Sequence, residues 1–212
     1  MRNALLVMML SIFITTSNLF AQWEVVNPNT ADQNILDIWF ADANNGYFVG
    51  WLNSVGKTTD GGASWERLKL PREVFYTCTS DFFDVNNFVF CYNDGLLFTS
   101  DGGTSWRFVY GSFAYAKFKD MNNGLAALDN KVVKTTDGGA SWSSSTPAGN
   151  AKIKAVDFES DQLLWAGDES GNIYRSTNAG ASWTKTGSTG QSVTRISVVS
   201  STLAFASTKT AL

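Results

Sequence analysis

Beyond residue 34 the chain alternates short apolar runs with clusters of Gly, Asn, Asp and Ser. Runs of four to eight residues with such boundaries predict β-strands. They fall into sets of three: 35–40, 47–50 and 56–59; 74–83, 88–92 and 96–99; 115–119, 124–128 and 132–135; 153–158, 163–167 and 173–176. Each set leads into a Trp that opens a fourth run, WERL, WRFVY, WSSS or WTKT. Asn-Asn-Gly at 44–46 and 122–124 separates the first and second runs, which marks tight hairpins. No helical period is found outside the N-terminal stretch.

Four segments align without gaps: TTDGGASW (58–65), TSDGGTSW (99–106), TTDGGASW (135–142) and STNAGASW (176–183). Their tryptophans, Trp65, Trp106, Trp142 and Trp183, step by 41, 36 and 41 residues. A period near 40 residues with turn and Trp signals predicts the four-stranded blades of a β-propeller. Within each segment Asp60, Asp101, Asp137 and Asn178 are expected to accept hydrogen bonds from the turn backbone. Gly62, Gly103, Gly139 and Gly180 suit a positive φ, and each Trp is expected to pack on its blade. A carboxylate repeated in every blade serves the blade rather than a single site.

Both ends depart from the pattern. Residues 1–21 have the layout of a signal peptide: Arg2, an apolar run over 4–14 broken only by Ser11, a polar stretch, and Ala21 at the cleavage position. The run is too short to span a bilayer, so no transmembrane anchor is expected and export is. The segment 23–27 looks like a fourth strand without its blade, placed to close the last blade of a ring. Runs 193–199 and 203–206 look like the first two strands of a fifth blade, after which the chain stops at Leu212. Residues 22–212 are thus expected to form four full blades and part of a fifth. An incomplete ring, as a piece of a longer protein, is the leading expectation. A five-bladed ring, or one completed by another chain, is the alternative. The two cysteines, Cys78 and Cys91, lie in neighbouring strand runs, and in an exported chain they invite a disulfide. Two buried free thiols are the alternative.

Composition narrows the chemistry. Aromatics are 14% and charged residues 17%, which supports a packed core. The formal net charge of −3 and the lack of a basic run argue against a nucleic-acid partner. There is no histidine, which removes His-based acid–base catalysis and His-ligated metals; no cofactor and no metal are expected. Among the remaining carboxylates, Asp37, Glu73, Asp157 and Glu159 show no paired arrangement in sequence.

The four segments resemble the Asp-box, or bacterial neuraminidase repeat, Ser/Thr-x-Asp-x-Gly-x-Ser/Thr-Trp; three match fully and the fourth has Asn178 for Asp. With the leader and the Asn-Asn-Gly turns, the chain resembles the photosystem II stability and assembly factor propellers. That resemblance implies a non-catalytic binding or assembly scaffold with a protein or glycan ligand, and does not imply photosynthesis. Asp-boxes also occur in sialidases and xyloglucan hydrolases, so a fragment of a carbohydrate-active enzyme is the second reading. Against it, Arg67 and Arg107 follow box tryptophans as surface residues, and the inter-strand loops are too short to build a groove. A sorting-receptor-like or adhesin-like module is a third reading. Any ligand is expected on the loops opposite the boxes, which carry Trp51, Arg72, Tyr110, Phe113 and Lys152.

Overall fold

The computed structural model describes residues 34–73, 77–92 and 94–208. The leader, the closing strand 23–27 and the start of the run 74–83 lie outside the described residues. The rest is all-β. Four antiparallel sheets of four strands each follow one another: β1 (Ile35–Phe40), β2 (Gly46–Gly50), β3 (Val55–Thr58) and β4 (Glu66–Arg67); β5 (Thr77–Phe82), β6 (Phe88–Tyr92), β7 (Gly95–Thr99) and β8 (Arg107–Tyr110); β9 (Tyr115–Phe118), β10 (Gly124–Leu128), β11 (Lys131–Thr135) and β12 (Ser143–Ser145); β13 (Ile153–Phe158), β14 (Leu164–Asp168), β15 (Asn172–Ser176) and β16 (Thr184–Ser188). A two-stranded sheet, β17 (Val193–Ser200) and β18 (Leu203–Thr208), begins a fifth blade. In every blade, strand order in space equals strand order in sequence. The first strands of successive blades touch one another, so they line the axis and the fourth strands form the rim. This is the β-propeller that the repeat predicts, as an open arc.

The box tryptophans precede the fourth strands rather than open them. The box itself is a closed hydrogen-bond unit between the third and fourth strands. In the first blade the Thr58 hydroxyl accepts from Gly62 N (2.9 Å) and donates to Asp60 (2.8 Å). Asp60 in turn accepts from Ser64 N (2.9 Å) and from the Ser64 hydroxyl. Thr99 with Asp101 and Thr135 with Asp137 repeat this. Three or four donors on one carboxylate, the Ser64 hydroxyl foremost, hold Asp60 down to about 2, and Asp101 and Asp137 likewise with Ser105 and Ser141. Asn178 fits the same hole with one reversal. Its Oδ1 accepts from Ser182 N (2.9 Å), and its Nδ2 donates to the Ser182 hydroxyl (2.8 Å).

The two residues after the Asp lie in the left-handed region: Gly61 and Gly62 at φ 73° and 92°, with near-equal values in blades 2 and 3. Blade 4 places Ala179 at the first of these positions, at φ 59°, where a Cβ is strained.

A second turn, between the first and second strands, has the same logic. Asp42 Oδ1 accepts from Asn44 N and Asn45 N, both at 2.8 Å; Asp84 and Asp120 do so for Asn86–Asn87 and Asn122–Asn123. The box then docks on this turn within its own blade, with Gly61 N donating to Asn44 O at 2.9 Å and equivalents in blades 2, 3 and 4.

Blades are joined by side chains. One apolar cluster fills each of the four seams: Tyr47, Phe88 and Leu97 between blades 1 and 2; Phe98, Phe118 and Val133 between 2 and 3; Leu125, Ile153 and Leu164 between 3 and 4; Trp165, Val193 and Ile196 between 4 and 5. Rings of Trp39 and Phe82 stack across the first seam at 5.1 Å. On the rim, the second and fourth boxes bond to the preceding blade: Trp106 Nε1 donates to Lys69 O (3.2 Å) and Trp183 Nε1 to Ser145 Oγ (3.0 Å). The two ends of the arc expose apolar residues, Ile38 and Phe40 on blade 1 and Val199 and Phe205 on blade 5.

Two tests follow. Ala179→Gly relieves the left-handed strain and is expected to raise unfolding free energy by about 1 kcal/mol in urea titration; a loss of stability counts against the hairpin geometry. The depressed box carboxylates add stability that is complete above their unfolded pKa, near 4, and is lost as pH falls towards about 2. The triple variant Asp60→Asn, Asp101→Asn, Asp137→Asn copies Asn178. It is expected to fold at neutral pH and to show a shallower fall of the urea midpoint between pH 4 and 2. An unchanged acid slope refutes this origin.

Candidate functional site

Two regions could act on a ligand. The first lies on the axis, where the first strands meet around an open cavity of about 270 Å³. Its lining includes Asp37 on β1, Ser80 and Asp81 on β5, Lys117 on β9, Asp157 on β13 and Arg195 on β17. Asp37 and Asp157, unrelated in sequence, are thus brought to one hollow, with Asp81 between them.

Each of these carboxylates accepts from the next blade. Ser80 donates to Asp37. Asp81 pairs with Lys117 and accepts from Phe118 N at 2.7 Å. Asp157 accepts from Val198 N at 2.8 Å. Burial, at 8% exposure, pushes the Asp81 carboxyl up against the pull of the Lys117 ammonium. Burial works to lower Lys117, and Asp81 outweighs it, so Lys117 is held above its ordinary value. The cluster therefore latches blade to blade at the axis. Among the described residues no group of three or more His, Cys, Asp or Glu is placed to hold a metal ion.

The second region is the end of the blades opposite the boxes, and it sorts the residues expected from sequence. Arg72 and Tyr110 come together. The Arg72 guanidinium lies 4.9 Å from the Phe108 ring and 5.7 Å from the Tyr110 ring, and it pairs with Asp94 at 3.0 Å. Tyr110 stands edge-on to Phe108 at 4.0 Å and is 77% exposed. With Pro71 and Glu73 they line an open hollow between blades 1 and 2. Lys152 is exposed and lines a separate hollow between blades 3 and 4, with Ser112 and Asp129. Trp51, half-buried on the β2–β3 turn, lines neither.

Phe113 requires correction as a loop residue offered to a ligand. It is 5% exposed, belongs to the core cluster between blades 2 and 3, and packs on Trp142 at 5.2 Å. The connection from β8 to β9 is so short that its one large apolar residue folds inward. Of the two alternatives for Cys78 and Cys91, the structure has them as free thiols.

Sequence reasoning placed hairpins at 44–46 and 122–124 but missed the axial cluster and the part that Asp42, Asp84 and Asp120 play in these turns. A signal existed for the turns, because Asp-x-Asn-Asn occurs at 42–45, 84–87 and 120–123. No sequence signal marked the axis, where the partners lie about one blade apart in the chain.

Lys117→Met leaves the buried Asp81 carboxylate without its cation. The expected cost is about 1–3 kcal/mol in urea titration, recovered in large part by adding Asp81→Asn, which removes the charge and keeps an oxygen for Phe118 N. Equal loss in the single and double variants would show that Lys117 does not act through Asp81.

Comparison with known proteins agrees with this architecture. Residues 15–114 match the family model described as photosynthesis system II assembly factor YCF48. The photosystem II assembly lipoprotein Ycf48 of Parasynechococcus marenigrum is 36% identical over 80 residues, covering 34% of this chain and 24% of that protein. Its counterpart in Prochlorococcus marinus (strain MIT 9313) is 41% identical over 51 residues, covering 24% of this chain and 15% of the relative. The matches thus span about a quarter or less of these relatives. Among solved structures, YCF48 bound to D1 peptide superposes with a TM-score of 0.62 at 21% identity, over 84% of this chain and 60% of that one. An ancestral GH74 enzyme gives 0.59 at 23% identity, over 79% of this chain and 25% of that one. Both share the fold. By its boxes, its blades and this match, the chain is an Asp-box β-propeller similar to the photosystem II assembly factor propellers.

Proposed function

We propose that this chain is part of an exported, non-catalytic propeller that binds a protein segment and serves as an assembly scaffold. The observation that carries the proposal is the Arg72–Phe108–Tyr110 platform. An exposed Tyr and an Arg held over aromatic faces by Asp94 form a preorganised pair of the kind that anchors protein interfaces. The likeness to assembly factors, one of them solved with a bound peptide, supports a peptide over a glycan. Export rests on the leader at 1–21 and is supported by the lipoprotein description of the relatives. Among the described residues no helix is long and apolar enough to cross a membrane.

A hydrolase is the second reading, favoured by the convergence of Asp37, Asp81 and Asp157 on one cavity. The scaffold reading is preferred because all three accept hydrogen bonds from the neighbouring blade, and a latch that moved during a reaction would open a seam.

Selection of a displayed peptide library on the whole chain tests the proposal. A consensus peptide is expected, with affinity reduced at least ten-fold in Tyr110→Ala, while that variant stays within about 1 kcal/mol of the parent in stability. Phe113→Ala is expected to behave in the opposite way, losing about 3–5 kcal/mol as a core truncation. Turnover of a β-glucan or sialoside that is abolished by Asp157→Asn would overturn the scaffold reading.

A further inference from the structure

The pairing of Cys78 with Cys91 arises from a backbone irregularity. Thr77 faces Tyr92 and Thr79 faces Cys91, and Cys78 is the extra residue of a β-bulge between them. A bulged residue leaves the strict alternation of faces, and here it turns to the side on which Cys91 is buried. Both side chains pack into the cluster between blades 2 and 3. Both thiols converge on one acceptor, each Sγ lying 3.8 Å from the Phe113 carbonyl oxygen.

The first strand pairs of blades 1, 4 and 5 carry the same bulge. There the inserted residues are Leu36, Lys154 and Thr194, and the positions matching Cys91 hold Val49, Gly167 and Ser207. The blade therefore needs sulfur at neither position. The two thiols are peculiar to the second blade, and they are brought into contact by a device that serves another purpose in the rest.

We infer that Cys78 and Cys91 form a thiol–disulfide exchange site, with Cys78 as the attacking and Cys91 as the resolving thiol, and with a disulfide-bearing thiol carrier as co-reactant. Cys78 is partly exposed and Cys91 is buried, so an incoming disulfide reaches Cys78 first. The neighbouring Cys91 thiol holds Cys78 below its ordinary value, while Cys78 and burial push Cys91 up. The Cys78 thiolate attacks one sulfur of the carrier, and the other sulfur leaves as a thiolate. Cys91 then loses its proton and attacks the Cys78 sulfur, which releases the second carrier thiolate. Two protons leave the protein, two electrons pass to the carrier, and a cross-strand bridge joins β5 to β6. The Phe113 carbonyl loses both of its sulfur donors in the process, so the β8–β9 connection is altered where blade 2 meets blade 3.

Oxidised glutathione is the probe. The reduced whole chain is incubated with it, quenched in acid, alkylated in denaturant and weighed. The expected product lacks two hydrogens, accepts no alkyl group and yields a linked Cys78–Cys91 peptide. In Cys91→Ala, Cys78 is expected to trap one glutathione; in Cys78→Ala, Cys91 is expected to react at least about ten-fold more slowly. Two alkylated thiols in the wild-type chain after exhaustive incubation would overturn the site. Equal capture rates in the two variants would overturn the assigned order. The wild-type measurement stands even if a variant fails to fold.

Discussion

One buried hydroxyl per blade holds the architecture together. Thr58, Thr99, Thr135 and Ser176 are almost wholly inaccessible. Each accepts from the second box glycine and donates to the Asp or Asn two residues on. A backbone N–H left without that acceptor would be buried and unsatisfied, which costs far more than an ordinary hydrogen bond contributes. The hydroxyl forces the two left-handed residues of the turn. Those set the direction in which the chain enters the Trp and the fourth strand, and Trp106 and Trp183 bond from there to the blade before.

The seams divide labour by radius. Near the rim, an indole and a box glycine meet the outer strand of the preceding blade; Gly103 leaves no room for a Cβ against Leu68. At middle radius the contact is aromatic and aliphatic. At the axis it is polar, made by carboxylates that reach one blade forward. The apolar layer supplies most of the cohesion, and the directional polar contacts at either side fix how each blade is turned against the next. The loops opposite the boxes lie outside all three layers, which leaves Arg72 half-buried and Tyr110 exposed.

The strands and boxes were legible in the sequence because they repeat: a local pattern seen four times identifies itself. Strand limits such as 35–40 and 153–158 coincide with the observed elements. What was not legible depends on register or on distance. The bulge at Cys78 shifts the alternation by one residue, and nothing in the local run distinguishes it from a regular strand. Asp37, Asp81 and Asp157 become neighbours only because successive blades turn about one axis. Phe113 lies in a connection that reads as a loop, yet the connection is short enough for its apolar residue to plug the seam. Ala179 occupies a position that the box pattern leaves open, and its strained φ required coordinates.

The closed hairpins at one end of the blades have an evolutionary consequence. The backbone bonds of each box and of the turn on which it docks begin and end inside one blade. Insertions or deletions at the opposite end therefore leave that scaffolding untouched. The shorter step from Trp106 to Trp142 is a case in point, with the β8–β9 connection reduced to 111–114. One rim is bound to its sequence by hydrogen-bond geometry; the other is free to vary in length and chemistry, blade by blade. A gene of this kind can change what it recognises by editing connections singly, or by duplicating a whole unit, without re-solving the folding problem each time.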